Sequence, residues 1–125
     1  MQQVVVLGVG MHRFGKTGDA VVGNKSVTEL CRSAVDAALQ DAGVSWRQIQ
    51  AVAAASARFS GGKGWGLNGN DVVEDLGNTG IPVYNLSAGC AAGGNAFNIG
   101  YSLVADGLHD IVLVVGGEVM PKGMI

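Results

Sequence analysis

Four short apolar runs are spaced along the chain, and three of the intervals between them hold helical patterns. They are residues 4–10 (VVVLGVG), 49–57 (IQAVAAASA), 81–86 (IPVYNL) and 111–115 (IVLVV). Each is short, rich in β-branched residues or alanine, and bounded by glycine or polar residues, which reads as a buried strand. Strands that return in the same direction need a crossover of a dozen residues or more, usually helical. The alternation therefore predicts an α/β layered fold with a largely parallel sheet. A chain of 125 residues is one domain on this reading.

The intervals carry helix signals. SVTELCRSAVDAALQDAG opens on Ser26 with Glu29 three residues later, a capping box, and stops at Gly43. Val27, Leu30, Cys31, Ala34, Val35 and Ala38 recur at helical spacing and form its apolar face; Arg32, Asp36 and Gln40 lie opposite. A short helix is expected over residues 71–77 and a longer one over 90–106. The latter contains Gly93, Gly94 and Gly100, each unfavourable in an exposed helix by about 1 kcal/mol relative to alanine. Small residues around much of its circumference predict a helix buried between layers, with Cys90 deep at its mouth.

Charge and cysteine content narrow the function classes. The net charge is −2, with no Lys/Arg cluster, so nucleic-acid binding has no electrostatic footprint. No segment approaches the ~20 continuous apolar residues of a membrane span. Two cysteines without a Cys-rich framework, and no secretory signal, predict free thiols in a cytoplasmic setting.

One literal motif competes for attention. GMHRFGKT, residues 10–17, satisfies G-x-x-x-x-G-K-[ST]. A working phosphate loop must open directly into a helix whose free N–H groups meet the phosphates. Here the helix start waits until Ser26, so the motif reads as a connecting loop; the IVLVVGGE strand could offer Glu118 as a magnesium ligand, but only after two glycines. GVGMHRFG also fails the dinucleotide pattern, because Arg13 stands where the third glycine belongs.

Chemistry points instead to NLSAGC. A strand delivers the chain to Cys90 at the first turn of the following helix. Unpaired N–H groups and the helix dipole favour a thiolate there, and can donate to an oxyanion on an attached acyl group. Cys31, in mid-helix on an apolar stripe, reads as structural. His12 and His109 stand isolated in loop-like segments and read as solvent-facing. Arg58, Lys63 and Trp65 lie in a Gly-rich surface loop. No spacing of His, Cys, Asp and Glu suggests a metal site.

Three segments, VLGVGMHRFGK, LGNTGIPVYNLSAGCAAGGNAF and GLHDIVLVVGGEVMPKG, resemble in order the N-terminal part of a thiolase, most closely the sterol-carrier-protein-type branch. The resemblance implies a thiolase-like layered fold covering most of its first half, a parallel-rich mixed sheet with helices on both faces, with residues 1–125 as a partial N-terminal domain. It implies acyl transfer through a thioester on Cys90, in thiolytic cleavage of 3-oxoacyl-CoA or Claisen condensation of acyl-CoA, with lipid or sterol side-chain substrates. Coenzyme A thioester is then substrate, and no cofactor is permanently bound. It implies dimers, with residues 81–86 near the interface, and in some relatives an OB-fold partner protein; a peroxisomal location is the eukaryotic counterpart of the cytoplasmic one. The family's general-base histidine and second cysteine have no match in this sequence, so the chain is expected to need a complementing C-terminal half. Retro-aldolase relatives, ketoacyl synthases, a noncatalytic assembly domain and, least favoured, a phosphate-loop NTPase are the competing readings.

Overall fold

The capping box forms as its spacing predicts. In a computed structural model of the chain, which describes residues 2–57 and 66–120, helix α1 runs Val27–Ala42. The Ser26 hydroxyl accepts from the Glu29 amide at 3.2 Å, and the Glu29 carboxylate accepts from the Ser26 amide at 2.7 Å. Gly43 closes the helix in the left-handed conformation. Val27, Cys31 and Val35 are buried along one stripe. Burying each valine fully contributes about 1.5–3 kcal/mol.

After a 3₁₀ turn at Trp46–Gln48 come strand β1 (Ala51–Ala55), helix α2 (Gly69–Leu76) and strand β2 (Val83–Leu86). A second 3₁₀ turn, Gly89–Ala91, leads into helix α3 (Ala92–Ala105), and strand β3 (Val112–Gly116) follows. The three strands form one parallel sheet in the order β2-β1-β3. A single antiparallel bridge, Gly66 to Glu118, is the mixed element among the described residues.

Every residue of β1 is buried, as a central strand covered on both faces must be. Its alternation sorts the core into two layers. Val52 and Ala54 face a cluster with Val27, Cys31 and Val35 of α1, Val72 and Val73 of α2, and Leu113 and Val115 of β3. Ala53 and Ala55 face Ala92 and Ala96 of α3. Alanine thus gives β1 its thinness: α3 settles close against the sheet because neither surface projects beyond a methyl group. Gly100 extends that contact, since a Cβ there would lie 2.5 Å from a Val114 methyl. Helices therefore cover both faces, α1 and α2 on one and α3 on the other.

Two expectations are corrected. Residues 4–10 do not form a strand of the sheet. They run without regular structure, with Val5, Val6, Leu7 and Val9 each more than half exposed. The segment is held at two points, by the Gln2 amide on the Ala105 carbonyl (2.9 Å) and the Val9 amide on the Asp41 carboxylate (2.9 Å). A cavity of about 490 Å³, mostly apolar, is lined jointly by this segment, α1, α3 and β3. A β-branched run becomes a buried strand only when backbone partners and covering side chains reach it, and here the cavity takes their place. Second, α3 is not enclosed between layers. Its sheet-facing residues are buried, but Gly93, Gly94, Phe97 and Tyr101 are exposed.

Candidate active site

Parallel α/β sheets place ligands beyond the carboxyl ends of their strands. At that edge of this sheet, β1 ends at Ala55, β2 at Leu86 and β3 at Gly116. Four residues beyond β2 stands Cys90, within the 3₁₀ turn that opens into α3. The turn depends on Gly89, whose φ of +54° would strain any residue with a side chain. It is closed by the Ala91 amide on the Ala88 carbonyl at 3.1 Å. No side chain caps α3 at Ala91; the Ala92 amide donates instead to the Gly89 carbonyl of the preceding turn.

Cys90 is exposed, against the expectation that it lies deep. The cause is α3 itself, which is covered on one face only. Cys31 is its opposite: buried in the core, with burial pushing its thiol up from 9.0 to about 11. At neutral pH it is a protonated, enclosed thiol.

Polar groups tie the strand ends together. The Ser87 hydroxyl donates to the Ala57 carbonyl at 3.0 Å. The half-buried Glu118 carboxylate accepts from the Ser56 hydroxyl at 3.2 Å and from the Ala57 amide. The Ser56 amide continues the sheet ladder onto the Leu86 carbonyl at 3.1 Å. Neither Ser56 nor Ser87 was singled out in the sequence; a serine between a strand and a nucleophilic turn is the available signal.

The histidines do not join this cluster, and both are half-buried rather than fully solvent-facing. The His109 amide bonds to the Leu103 carbonyl at the far end of α3. The 14 residues of α3 span roughly 21 Å at about 1.5 Å each. His12 contacts the Arg13 carbonyl (2.8 Å) and the Lys25 ammonium (3.1 Å). Arg58, Lys63 and Trp65 lie outside the described residues. Among the described residues, no group of three or more His, Cys, Asp and Glu could hold a metal ion, and no helix is long and apolar enough to cross a membrane.

The phosphate-loop motif is closed by its own chain. The Asp19 carboxylate accepts from the amides of Lys16 (2.6 Å), Val21 (2.9 Å) and Val22 (2.7 Å). These bonds hold its pKa below the usual carboxylate range, the Val22 bond contributing most. An internal anion thus occupies the amides next to GKT, and α1 begins only at Val27.

Comparison with known proteins bears on the whole chain. The profile of the family described as "Thiolase, N-terminal domain" matches residues 4–124. Sterol carrier protein 2 of Bos taurus is 32% identical over 123 residues, covering 98% of this chain and 21% of the relative. The acetyl-CoA acetyltransferase of Methanothermobacter thermautotrophicus is 32% identical over 126 residues, covering 96% and 30%. The chain therefore spans about a fifth to a third of these relatives' length. Among solved structures, an acetyl-CoA acetyltransferase from Syntrophomonas wolfei superposes with a TM-score of 0.69 at 24% identity, over 88% of this chain and 27% of the other. The 3-oxoacyl-[acyl-carrier-protein] synthase III of Aquifex aeolicus gives 0.59 at 21% identity, over 74% and 29%. At these identities the two superpositions establish the shared fold.

Proposed function

Because this chain belongs to the thiolase N-terminal domain family, we propose that it supplies the acyl-accepting thiol of a thiolase-type acyltransferase. The observation that carries this reading is Cys90: an exposed thiol at the carboxyl edge of a parallel sheet, in the turn that opens α3. In the degradative direction its thiolate attacks the 3-oxo carbon of a 3-oxoacyl-CoA. The bond between the second and third acyl carbons breaks, and its electron pair leaves as the enolate of acetyl-CoA, which takes up a proton. The shortened acyl group remains on Cys90 and passes to the sulfur of a second coenzyme A. Condensation runs the same steps in reverse. Sulfur suits both halves, being nucleophile and leaving group in turn. The positive end of the α3 dipole beside Cys90 suits a developing negative charge.

The reaction also needs a base for the thiol and an acid for the enolate. His109 is a helix length away, and no His is placed beside Cys90 among the described residues. Those groups come from the remainder of a thiolase subunit, and coenzyme A is substrate rather than a resident cofactor. The names of the relatives, sterol carrier protein 2 and a non-specific lipid-transfer protein-like 2, support lipid-related acyl chains. The outer edge of β2, with Tyr84 and Asn85 exposed, suits a contact between subunits, and an OB-fold protein is a further candidate partner. A cytoplasmic or peroxisomal setting accords with this chemistry.

The test is isotope exchange. With a complementing C-terminal thiolase half supplied, labelled coenzyme A enters acetyl-CoA through the acyl-enzyme. Cys90→Ala abolishes exchange and Cys31→Ala leaves it. Carbon–carbon cleavage that survives Cys90→Ala points to the retro-aldolase relatives instead.

A further inference from the structure

Hydrogen bonds at the carboxyl edge of the sheet connect its three strands in series. Glu118, two residues past the end of β3, reaches sideways to Ser56 and Ala57 at the end of β1. The Ala57 carbonyl in turn accepts from the hydroxyl of Ser87, the residue that follows β2. Ala57 thus receives the carboxylate at its N–H, in the Ser56–Ala57 peptide, and the hydroxyl at its C=O, in the next peptide along. Between Ser87 and Cys90 lie only Ala88 and Gly89, which carry no hydrogen-bonding side chain of their own. The turn that carries Cys90 is therefore anchored on its strand side by Ser87 and on its helix side by the buried Ala92 and Ala96. A carboxylate bond to a backbone amide is charge-assisted and about twice as strong as a neutral one. It fixes the backbone at Ala57, and the position of that residue sets where the Ser87 acceptor stands.

We propose that Glu118, acting through Ala57 and Ser87, is a positioning residue for Cys90. This rests on the reading of Cys90 as the acyl acceptor. Glu118 touches neither sulfur nor substrate; it holds the strand-side anchor of the turn, so that the thiol meets its attack geometry without searching for it. Misplacement of a reacting group by about 1 Å can cost up to a hundredfold in rate.

Cys31 supplies an internal control. It lies in the core beside Gly117, next to Glu118 in sequence but on the α1 face of the sheet. Loss of the fold would open Cys31, whereas loss of positioning alone would not. The experiment follows chloroacetamide labelling of each cysteine in the 125-residue chain by peptide mass. Glu118→Ala and Ser87→Ala each slow Cys90 labelling several-fold, as the released turn no longer holds the thiol exposed, while Cys31 stays protected. Glu118→Gln and Ser87→Thr, which keep the acceptor oxygen and the hydroxyl, restore the rate to within about threefold. Wild-type Cys90 labelling in both alanine variants overturns the proposal. So does slowing that the conservative variants fail to restore, or simultaneous opening of Cys31. The acyl-acceptor reading fails separately: there, Glu118 and Ser87 still govern chloroacetamide labelling, yet acetyl-CoA never modifies Cys90.

Discussion

Two cysteines in one small sheet domain have opposite surroundings, and the difference is testable by chemistry alone. Cys90 is exposed in a turn, while Cys31 is enclosed and its thiol is pushed up from 9.0 to about 11. At neutral pH an alkylating agent labels Cys90 well before Cys31, read by peptide mass. The folded state holds the Cys31 proton more tightly than the unfolded chain does. Its contribution to stability is therefore complete below the unfolded value of 9.0 and is lost as pH rises toward about 11. Thermal melts across that window should show an alkaline decline that Cys31→Ala reduces. Asp19 has the opposite sign. Its carboxylate is stabilised by the Val22, Lys16 and Val21 amides, so the loop is held above the usual carboxylate range and released as pH falls through the lowered value. Hydrogen exchange at the Val21 and Val22 amides should accelerate on acidification, and in Asp19→Asn at neutral pH. The role of Cys31 was legible from its place on an apolar helical stripe. That of Asp19 was not, because a carboxylate folding back on its own loop leaves only a polar residue in the sequence.

Elements formed where several local signals agreed. In α1 the capping box, the apolar stripe and the glycine stop all coincide, and the helix has the predicted extent. Ser26→Ala should lower stability by about 1 kcal/mol in denaturant unfolding. The long glycine-bearing helix was predicted in place, but its glycines differ in role. A Cβ at Gly100 would meet a Val114 methyl at 2.5 Å, whereas nothing lies within 4 Å of one at Gly93. Gly100→Ala should therefore destabilise the chain, because an overpacking penalty of about 1–3 kcal/mol exceeds the helix-propensity gain of about 1 kcal/mol. Gly93→Ala should stabilise it by up to about 1 kcal/mol. Composition shows that glycine recurs in this helix; only the fold shows which glycine meets the sheet. The same limit explains residues 4–10. Their pattern states a preference for a buried strand, but burial is a property of neighbours, and a cavity stands where those neighbours would be.

At the scale of the molecule, apolar surface is the feature that remains to be covered. Val5, Val6, Leu7, Val9 and Met11 at one end of the chain, with Phe97, Tyr101 and Leu108, are all substantially exposed. Val5, Val6, Leu7, Val9, Phe97 and Tyr101 line one cavity, and exposed apolar surface gathered in this way marks interaction sites or association. Gel filtration of the chain alone should show species above monomer that grow with concentration; a monomer at every concentration would count against this account. The layered fold was legible because strand and helix signals alternate along the entire sequence, and the family matches residues 4–124. The polar links at the strand ends were not, since Ser56, Ser87 and Glu118 lie far apart in sequence and meet only when the sheet assembles. The most direct test of the central claim is to trap the acyl-enzyme. The chain, with a complementing C-terminal thiolase half, is mixed with acetyl-CoA, quenched in acid and mapped by peptide mass. One acetyl group is expected on the peptide containing Cys90 and none on that containing Cys31. Turnover of acetyl-CoA without acetyl on Cys90, or acetyl on Cys31 instead, would contradict it.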